Sequence, residues 1–340
     1  MKALQLQAIG HVALVDIPQP TLHDDELLIR TGATTICTSD LNDVRENPFG
    51  IRLPSTMGHE AAGTVVAVGR AVTGFAIGDR VATHPVHPCG RCANCRRGWG
   101  HLCAAMEHFG INRQGTFAEY FPVRVDRARH VPNEVTFPVA SLAEPVSVCL
   151  EALAQANLPP GGRLLILGDG PFGVLIARLA VRLALDKVVL AGRHDFRLSL
   201  AKGAVQVNLK KQADPLVRLQ AEVGEAGYDA AILAVGSAQA VRDGLALLRP
   251  KGRLVVFSAL PGETLVDLFH VHLREIEIVG ACSDQGRLDE AIGWLADRSL
   301  RLEELVTHTF SIEAYDQALA LAATGREEAM KVAFVFDEEG

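Results

Sequence analysis

Residues Arg163 to Arg193 constrain the fold more than any other stretch. They read Arg163-Leu164-Leu165-Ile166-Leu167, then Gly168-Asp169-Gly170-Pro171-Phe172-Gly173, then an apolar run to Leu185, then Val188-Val189-Leu190-Ala191-Gly192-Arg193. The pattern is a buried strand, a glycine turn, a helix and a second strand. G-x-G-x-x-G alone says little in a chain with 31 glycines. Its place, directly after a strand-like run and at the head of a helix-like one, gives it meaning. Gly168 allows the tight turn, Gly170 lets the backbone approach a pyrophosphate, and Gly173 lets the helix pack against the strand. Pro171 and Phe172 complete the loop. The free N–H groups and positive dipole end of the helix then face the phosphates. The stretch therefore predicts a dinucleotide site.

The end of the second strand indicates which dinucleotide. An acidic residue about 20 positions past the glycines holds the ribose 2′-OH of NAD. That place falls on Gly192, followed by Arg193, with His194 and Arg197 close behind. A guanidinium there can grip a 2′-phosphate through charge-assisted hydrogen bonds. The expectation is NADP(H) in preference to NAD(H), although Asp195 is near enough to serve the 2′-OH.

The 340 residues, 49% hydrophobic and 21% charged, are enough for two domains with their own cores. The net charge of −7 supplies no basic field for nucleic acid or an anionic membrane. Met1-Lys2-Ala3-Leu4-Gln5 lacks the apolar core of a secretory signal, and no apolar run is read as long enough to span a membrane. A soluble cytoplasmic protein is expected. Four of the seven cysteines lie within fifteen residues, which in such a chain argues for metal rather than disulfides.

Along the chain, short strand-like runs and proline punctuation extend from Ala3 to about Val131, including Ala3–Gln7, Val12–Val15, Glu26–Ile29, Gly63–Val68, Arg80–Thr83 and Phe117–Tyr120. From about Leu150 strands alternate with helices. The strands are Leu164–Leu167, Val188–Ala191, Val205–Leu209, Asp229–Val235, Arg253–Phe257 and Glu277–Val279. The helices are Phe172–Leu185, Phe196–Ala201, Pro215–Val223 and Ala238–Leu248. This alternation implies α/β architecture, a doubly wound parallel sheet with helices on both faces. After about Arg287 two helices and a strand, Lys331–Phe336, are expected to return to the first, mostly-β domain. The boundaries are residues 1–149 with 287–340, and 150–286.

Cys89-x2-Cys92-x2-Cys95-x7-Cys103 has the spacing to close a tetrahedron of thiolates around Zn²⁺. Four protein ligands leave no open position, so this zinc would be structural. Three further candidate ligands are scattered: Cys37 in Ile36-Cys37-Thr38-Ser39-Asp40, His59 in Gly58-His59-Glu60, and Glu144 in Ala143-Glu144-Pro145. Spacing alone does not join them. Taken singly, each is equally a small core residue, a turn histidine or a helix-terminal charge.

A resemblance joins them. Cys37-Thr38-Ser39-Asp40-Leu41, Gly58-His59-Glu60-Ala61-Ala62-Gly63, Gly78-Asp79-Arg80-Val81, the four-cysteine loop, Gly115-Thr116-Phe117-Ala118-Glu119-Tyr120, Ala143-Glu144-Pro145 and the glycine turn together resemble the zinc-containing medium-chain alcohol dehydrogenases, in their sorbitol/polyol and threonine branch. The resemblance covers essentially the whole chain. It implies a GroES-like catalytic domain built from both chain ends around a Rossmann domain. It also implies a catalytic zinc on Cys37, His59 and Glu144, with Glu60 either behind those ligands or exchanging onto the ion, and Ser39 passing the substrate proton outward. Glu144 replaces the cysteine of simple alcohol dehydrogenases, which points to polyol-type substrates. A dimer or tetramer is expected. Asn42 stands where the family often has a histidine for proton relay, so that route is in question. Two other readings remain: a zinc-independent quinone or enone reductase, and a non-catalytic nucleotide-binding protein with only the structural zinc.

Overall fold

Leu164, Leu165, Ile166 and Leu167 have almost no solvent exposure, because the sheet they lie in is covered on both faces. The computed structural model describes residues 1–325 and 328–336. The chain divides into two units, Met1–Ser147 with Gln285–Gly340, and Val148–Asp284.

In the second unit the sheet runs Val205–Asn208, Lys187–Gly192, Arg163–Leu167, Tyr228–Leu233, Leu248–Val256, Glu277–Gly280, every neighbouring pair parallel. This is the doubly wound order, whose reversal point lies beside Arg163–Leu167 and so places the glycine turn where such folds bind ligands. The first helix is shorter than the apolar run suggests. It spans Pro171–Ala180, and the chain then tightens through Arg182 N–H to Leu179 O and Leu183 N–H to Ala180 O before entering Lys187–Gly192.

In the first unit the larger sheet orders Ala128–His130, Arg80–Thr83, Glu60–Val68, Glu26–Thr35, Lys331–Val335 and Val306–Phe310, with Tyr120–Arg124 also pairing to Glu26–Thr35. Lys331–Val335 lies antiparallel to Glu26–Thr35, Ala333 opposite Thr35. Val306–Phe310 is a strand that the sequence reading did not include. Phe117–Tyr120 is not a strand. Gly115 and Phe117 give their N–H groups to Thr56 and Met57, and the strand begins at Tyr120. Phe117 instead fills the core with Leu4, Leu6, Met57 and Phe334.

The reading that no apolar run is long enough to cross a membrane needs correction. Phe137–Ala156, 20 residues, has that length and composition, but 83% of its window is buried inside the protein, as befits a core helix.

Candidate active site

Cys37 caps the helix Thr38–Glu46 where the strand Glu26–Thr35 ends. Its N–H donates to Asp40 Oδ2 at 2.8 Å, which fixes the turn and buries the thiol. His59 immediately precedes the strand Glu60–Val68. Gly58 holds φ +90°, and a Cβ there would enter the Phe117 ring, so only glycine delivers His59 at this angle. His59 Nδ1 faces Asp40 Oδ1 at 3.3 Å, leaving Nε2 for a metal. Burial pulls the imidazole pKa down, but the charge and hydrogen bond of Asp40, with Cys37, outweigh it and raise the pKa well above its ordinary value.

Donor atoms of Cys37, His59 and Glu60 all lie within 4.8 Å of one another. Glu144 is outside that close group. Glu144 is the second residue of the helix Ala143–Ala156 and is buried. Its Oε2 has no hydrogen-bond partner among the described residues. Burial first, then the Glu60 charge, pushes its carboxyl pKa up to about 7 against the opposing pull of His59. Glu60 is differently placed: Thr35 Oγ1 and Lys331 Nζ both donate to its carboxylate. Cys37, His59 and Glu60 bring thiol, imidazole and carboxylate within reach of one ion, and the buried Glu144 carboxyl, outside that group, offers an unpartnered Oε2, so the donor types present fit a zinc.

Four side chains here escaped the sequence reading. Asp40 orients His59, and Lys331 neutralises Glu60. His108 has its ring 5.6 Å from that of His59. Burial, then the charges of His59 and His84, hold His108 down at about 3. Asp43 is buried, with an Oδ1 unpartnered among the described residues. Only Asp40, inside a quoted motif, offered a signal. Ser39 is half-buried in the first turn of its helix, and Asn42 Oδ1 accepts from Arg45 at 2.9 Å.

The other cysteines form a second cluster. Sγ of Cys92 is 3.5 Å from that of Cys95 and 3.9 Å from that of Cys103, and Cys89 is 4.0 Å from Cys95. Thiolates around a tetrahedral zinc stand about 3.8 Å apart, given Zn–S bonds of about 2.3 Å. Backbone N–H groups of Cys95 and Ala104 lower the Cys92 thiol pKa to about 6, which favours the ligating form.

In the glycine turn, Gly168 has φ +119°, and a Cβ on Gly173 would strike the Gly168 carbonyl. Gly170 caps the helix Pro171–Ala180 without a side-chain bond, and a Cβ on it would meet nothing within 4 Å. Open space in front of the N-terminal N–H groups of the helix fits a pyrophosphate. Pro171, at the first helical position, removes no needed donor, and the Phe172 ring packs edge-on against Phe257. After Gly192, Arg193 and His194 are exposed and Arg197 is half-buried.

Comparison with known proteins decides the family. The alcohol dehydrogenase GroES-like domain matches residues 23–133 and the zinc-binding dehydrogenase domain residues 171–297. Sorbitol dehydrogenase of Bacillus subtilis is 30% identical, over 98% of this chain and 96% of its own. L-Threonine 3-dehydrogenase of Chromobacterium violaceum is 31% identical, over 96% of this chain and 97% of its own. The chain is a zinc-containing medium-chain dehydrogenase of the polyol and threonine branch. As such it is an oxidoreductase with a GroES-like domain and a Rossmann domain. An alcohol dehydrogenase of Escherichia coli CFT073, solved with NADH, matches this dehydrogenase with a TM-score of 0.92 at 26% identity, over 99% of each chain. A zinc-binding dehydrogenase of Sinorhizobium meliloti 1021, solved with NADP, gives a TM-score of 0.92 at 26% identity, over 98% of this chain and 99% of its own. Its relatives thus include holders of either nicotinamide.

Proposed function

We propose that this dehydrogenase oxidises a secondary alcohol of polyol or sugar type, or reduces the matching ketone, with NADP(H) and a catalytic zinc on Cys37, His59 and Glu144. A structural zinc would sit on Cys89, Cys92, Cys95 and Cys103. The reading is supported by the donor atoms of Cys37 and His59, which lie within 4.8 Å of each other and of Glu60, and by the buried Glu144 carboxyl, which feels the charges of His59 and Glu60 and has an Oε2 unpartnered among the described residues. When bound, zinc polarises the substrate oxygen and nicotinamide exchanges the hydride.

The chain's own groups do the rest. Asp40 holds the His59 ring in orientation. Lys331 cancels the charge of Glu60, so that Cys37 and Glu144 alone balance a divalent ion. Ser39 passes the substrate proton outward, and Asn42 adds no ionisable group to that path. Three protein ligands keep one position open for substrate.

For the cofactor, Gly192 presents no carboxylate to a 2′-phosphate, and Arg193 and His194 are exposed beside it. Asp195, the next acid along the chain, is occupied by Lys211 and Asn208, each at 2.8 Å. A homo-oligomer, dimer or tetramer, belongs to the same reading. It is supported by exposed Leu268, Phe269 and Leu273 near the edge strand Glu277–Gly280, whose Ile278 is also exposed. A cytoplasmic setting belongs to the same reading, supported by a cysteine cluster arranged for metal.

The test is metal analysis together with a turnover screen of polyols, amino-polyols and secondary alcohols with both cofactors. Two zincs per chain and NADP-dependent turnover are expected. Cys37→Ser or His59→Ala should abolish turnover while NADPH binding, read by fluorescence, survives. Near-normal turnover in either variant overturns the reading.

A further inference from the structure

Asp169 is the variable residue between the first two glycines of the turn, and it is buried. Its Oδ2 accepts the backbone N–H of Arg193 at 2.6 Å and that of His194 at 2.7 Å, and the His194 ring nitrogen Nδ1 stands 3.1 Å away. One carboxylate therefore ties the phosphate turn to the turn that follows Lys187–Gly192. Gly192 lies directly under it. A Cβ on Gly192 would come 2.5 Å from Asp169 Oδ2 and closer still to Asp169 Cβ. Carbon atoms in comfortable contact sit about 3.5–4.0 Å apart, so a side chain at position 192 and the carboxylate of Asp169 compete for one space.

That space matters, because the end of this strand is where a doubly wound fold places the acid that holds a ribose 2′-OH. We propose that Asp169 and Gly192 form a coupled pair that sets the cofactor choice. Asp169 excludes any side chain at 192, and with it the acid that would favour NAD(H). Its charge is turned inward on two amides and an imidazole, so it does not face a 2′-phosphate bare. The same bonds hold Arg193 and His194 at the rim of the phosphate turn, where their exposed side chains meet that phosphate. Asp169 is a positioning residue, acting through the 193–194 turn. The inference rests on the NADP(H) reading above.

Binding tests it without any alcohol substrate. NADPH and NADH are titrated by fluorescence against the wild type, Asp169→Ala, Asp169→Asn, Gly192→Asp and the double variant Asp169→Gly/Gly192→Asp, with thermal melting of each. Asp169→Ala should weaken NADPH roughly tenfold, the loss of about one charge-assisted contact, and NADH by no more than about threefold. Asp169→Asn keeps an acceptor and should recover part of the NADPH preference. Gly192→Asp alone should melt lower and bind both cofactors more weakly, and the double variant should regain the melting temperature and favour NADH. A wild type that favours NADPH while Asp169→Ala leaves the ratio unchanged overturns the inference. So does Gly192→Asp that melts like wild type and gains NADH affinity. A wild type that favours NADH instead sinks the NADP(H) reading and, with it, the cofactor role given to the pair. The melting temperatures then still report whether positions 169 and 192 share one space.

Discussion

Lys331 Nζ stands 2.6 Å from Glu60 Oε1, across a separation of 271 residues, and both side chains are buried. The pair lies against the candidate zinc site, and Lys331 Nζ also reaches Ile36 O at 3.4 Å, beside Cys37. Burial lowers the lysine pKa, but the Glu60 charge, with that of Cys37, holds it above its ordinary value. Removing one partner of such a pair strands the other charge in the interior. Lys331→Met should therefore cost about 3–5 kcal/mol in chemical denaturation. Glu60→Gln added to it should return most of the loss. A wild-type midpoint for Lys331→Met would show that the pair is not what secures Glu60.

Glu144 should make metal uptake pH-dependent. Its folded-state pKa is raised from 4.5 to about 7, so between those values the metal-free fold binds a proton that the unfolded chain has released. By the sign of linkage, this group makes the metal-free protein lose stability as pH rises from 4.5 through about 7. Zinc must displace the same proton, so affinity should climb with pH up to about 7. In competition titrations with a chelating dye, Glu144→Gln should reduce the slope of log affinity against pH by up to about one proton below pH 7. An unchanged slope would remove Glu144 from the ligand set.

The four-cysteine loop should hold its ion independently of the first site. Cys103→Ser should lower zinc from two per chain to one and expose residues 89–103 to protease, because structural zinc contributes directly to folding. Cys149 is a control. It is buried at 0% exposure, with its thiol donating to Phe172 O at 3.8 Å, and Cys149→Ser should leave zinc content unchanged. Metal analysis by mass spectrometry reads both.

Asp43 carries a cost that a single substitution should lift. Burial, then the charge of Asp40, pushes its pKa from 3.8 to about 7. The folded state therefore resists its ionisation, and the penalty grows as pH rises through that window. Asp43→Asn should stabilise the protein by about 1–2 kcal/mol at pH 8, after discount for partial solvation, with the gain shrinking toward pH 4. Thermal melts at the two pH values check it. A destabilised variant at pH 8 would mean that the carboxylate holds something in place.

Much of the Rossmann unit was legible because its information is local. An apolar strand such as Leu164–Leu167, a glycine turn and an apolar helical run each announce themselves within a few residues. The four-cysteine loop is legible for the same reason. Val306–Phe310 was missed because Val306-Thr307-His308-Thr309-Phe310 shows no clean apolar alternation. Phe117 reads as a strand residue from its neighbours, yet its ring is needed against Gly58. The candidate zinc site is the opposite case. No spacing rule links Cys37, His59 and Glu144, and only the resemblance brought them together. Lys331 gave no hint, since a lysine near the C-terminal strand looks like any solvated charge. Asp169 was hidden in a position that the glycine pattern leaves free, and its role depends on what Gly192 lacks.

Because Lys331–Val335 lies beside Glu26–Thr35, the order of synthesis matters. Val148–Asp284 leaves the ribosome as one uninterrupted length and can collapse while translation continues. The earlier segment that supplies Cys37 and His59 must wait for the late strand to dock and deliver the lysine that quiets Glu60. A nascent chain would thus acquire its nucleotide cradle well before its metal pocket, and a truncation before Lys331 would strand it at that half-assembled stage.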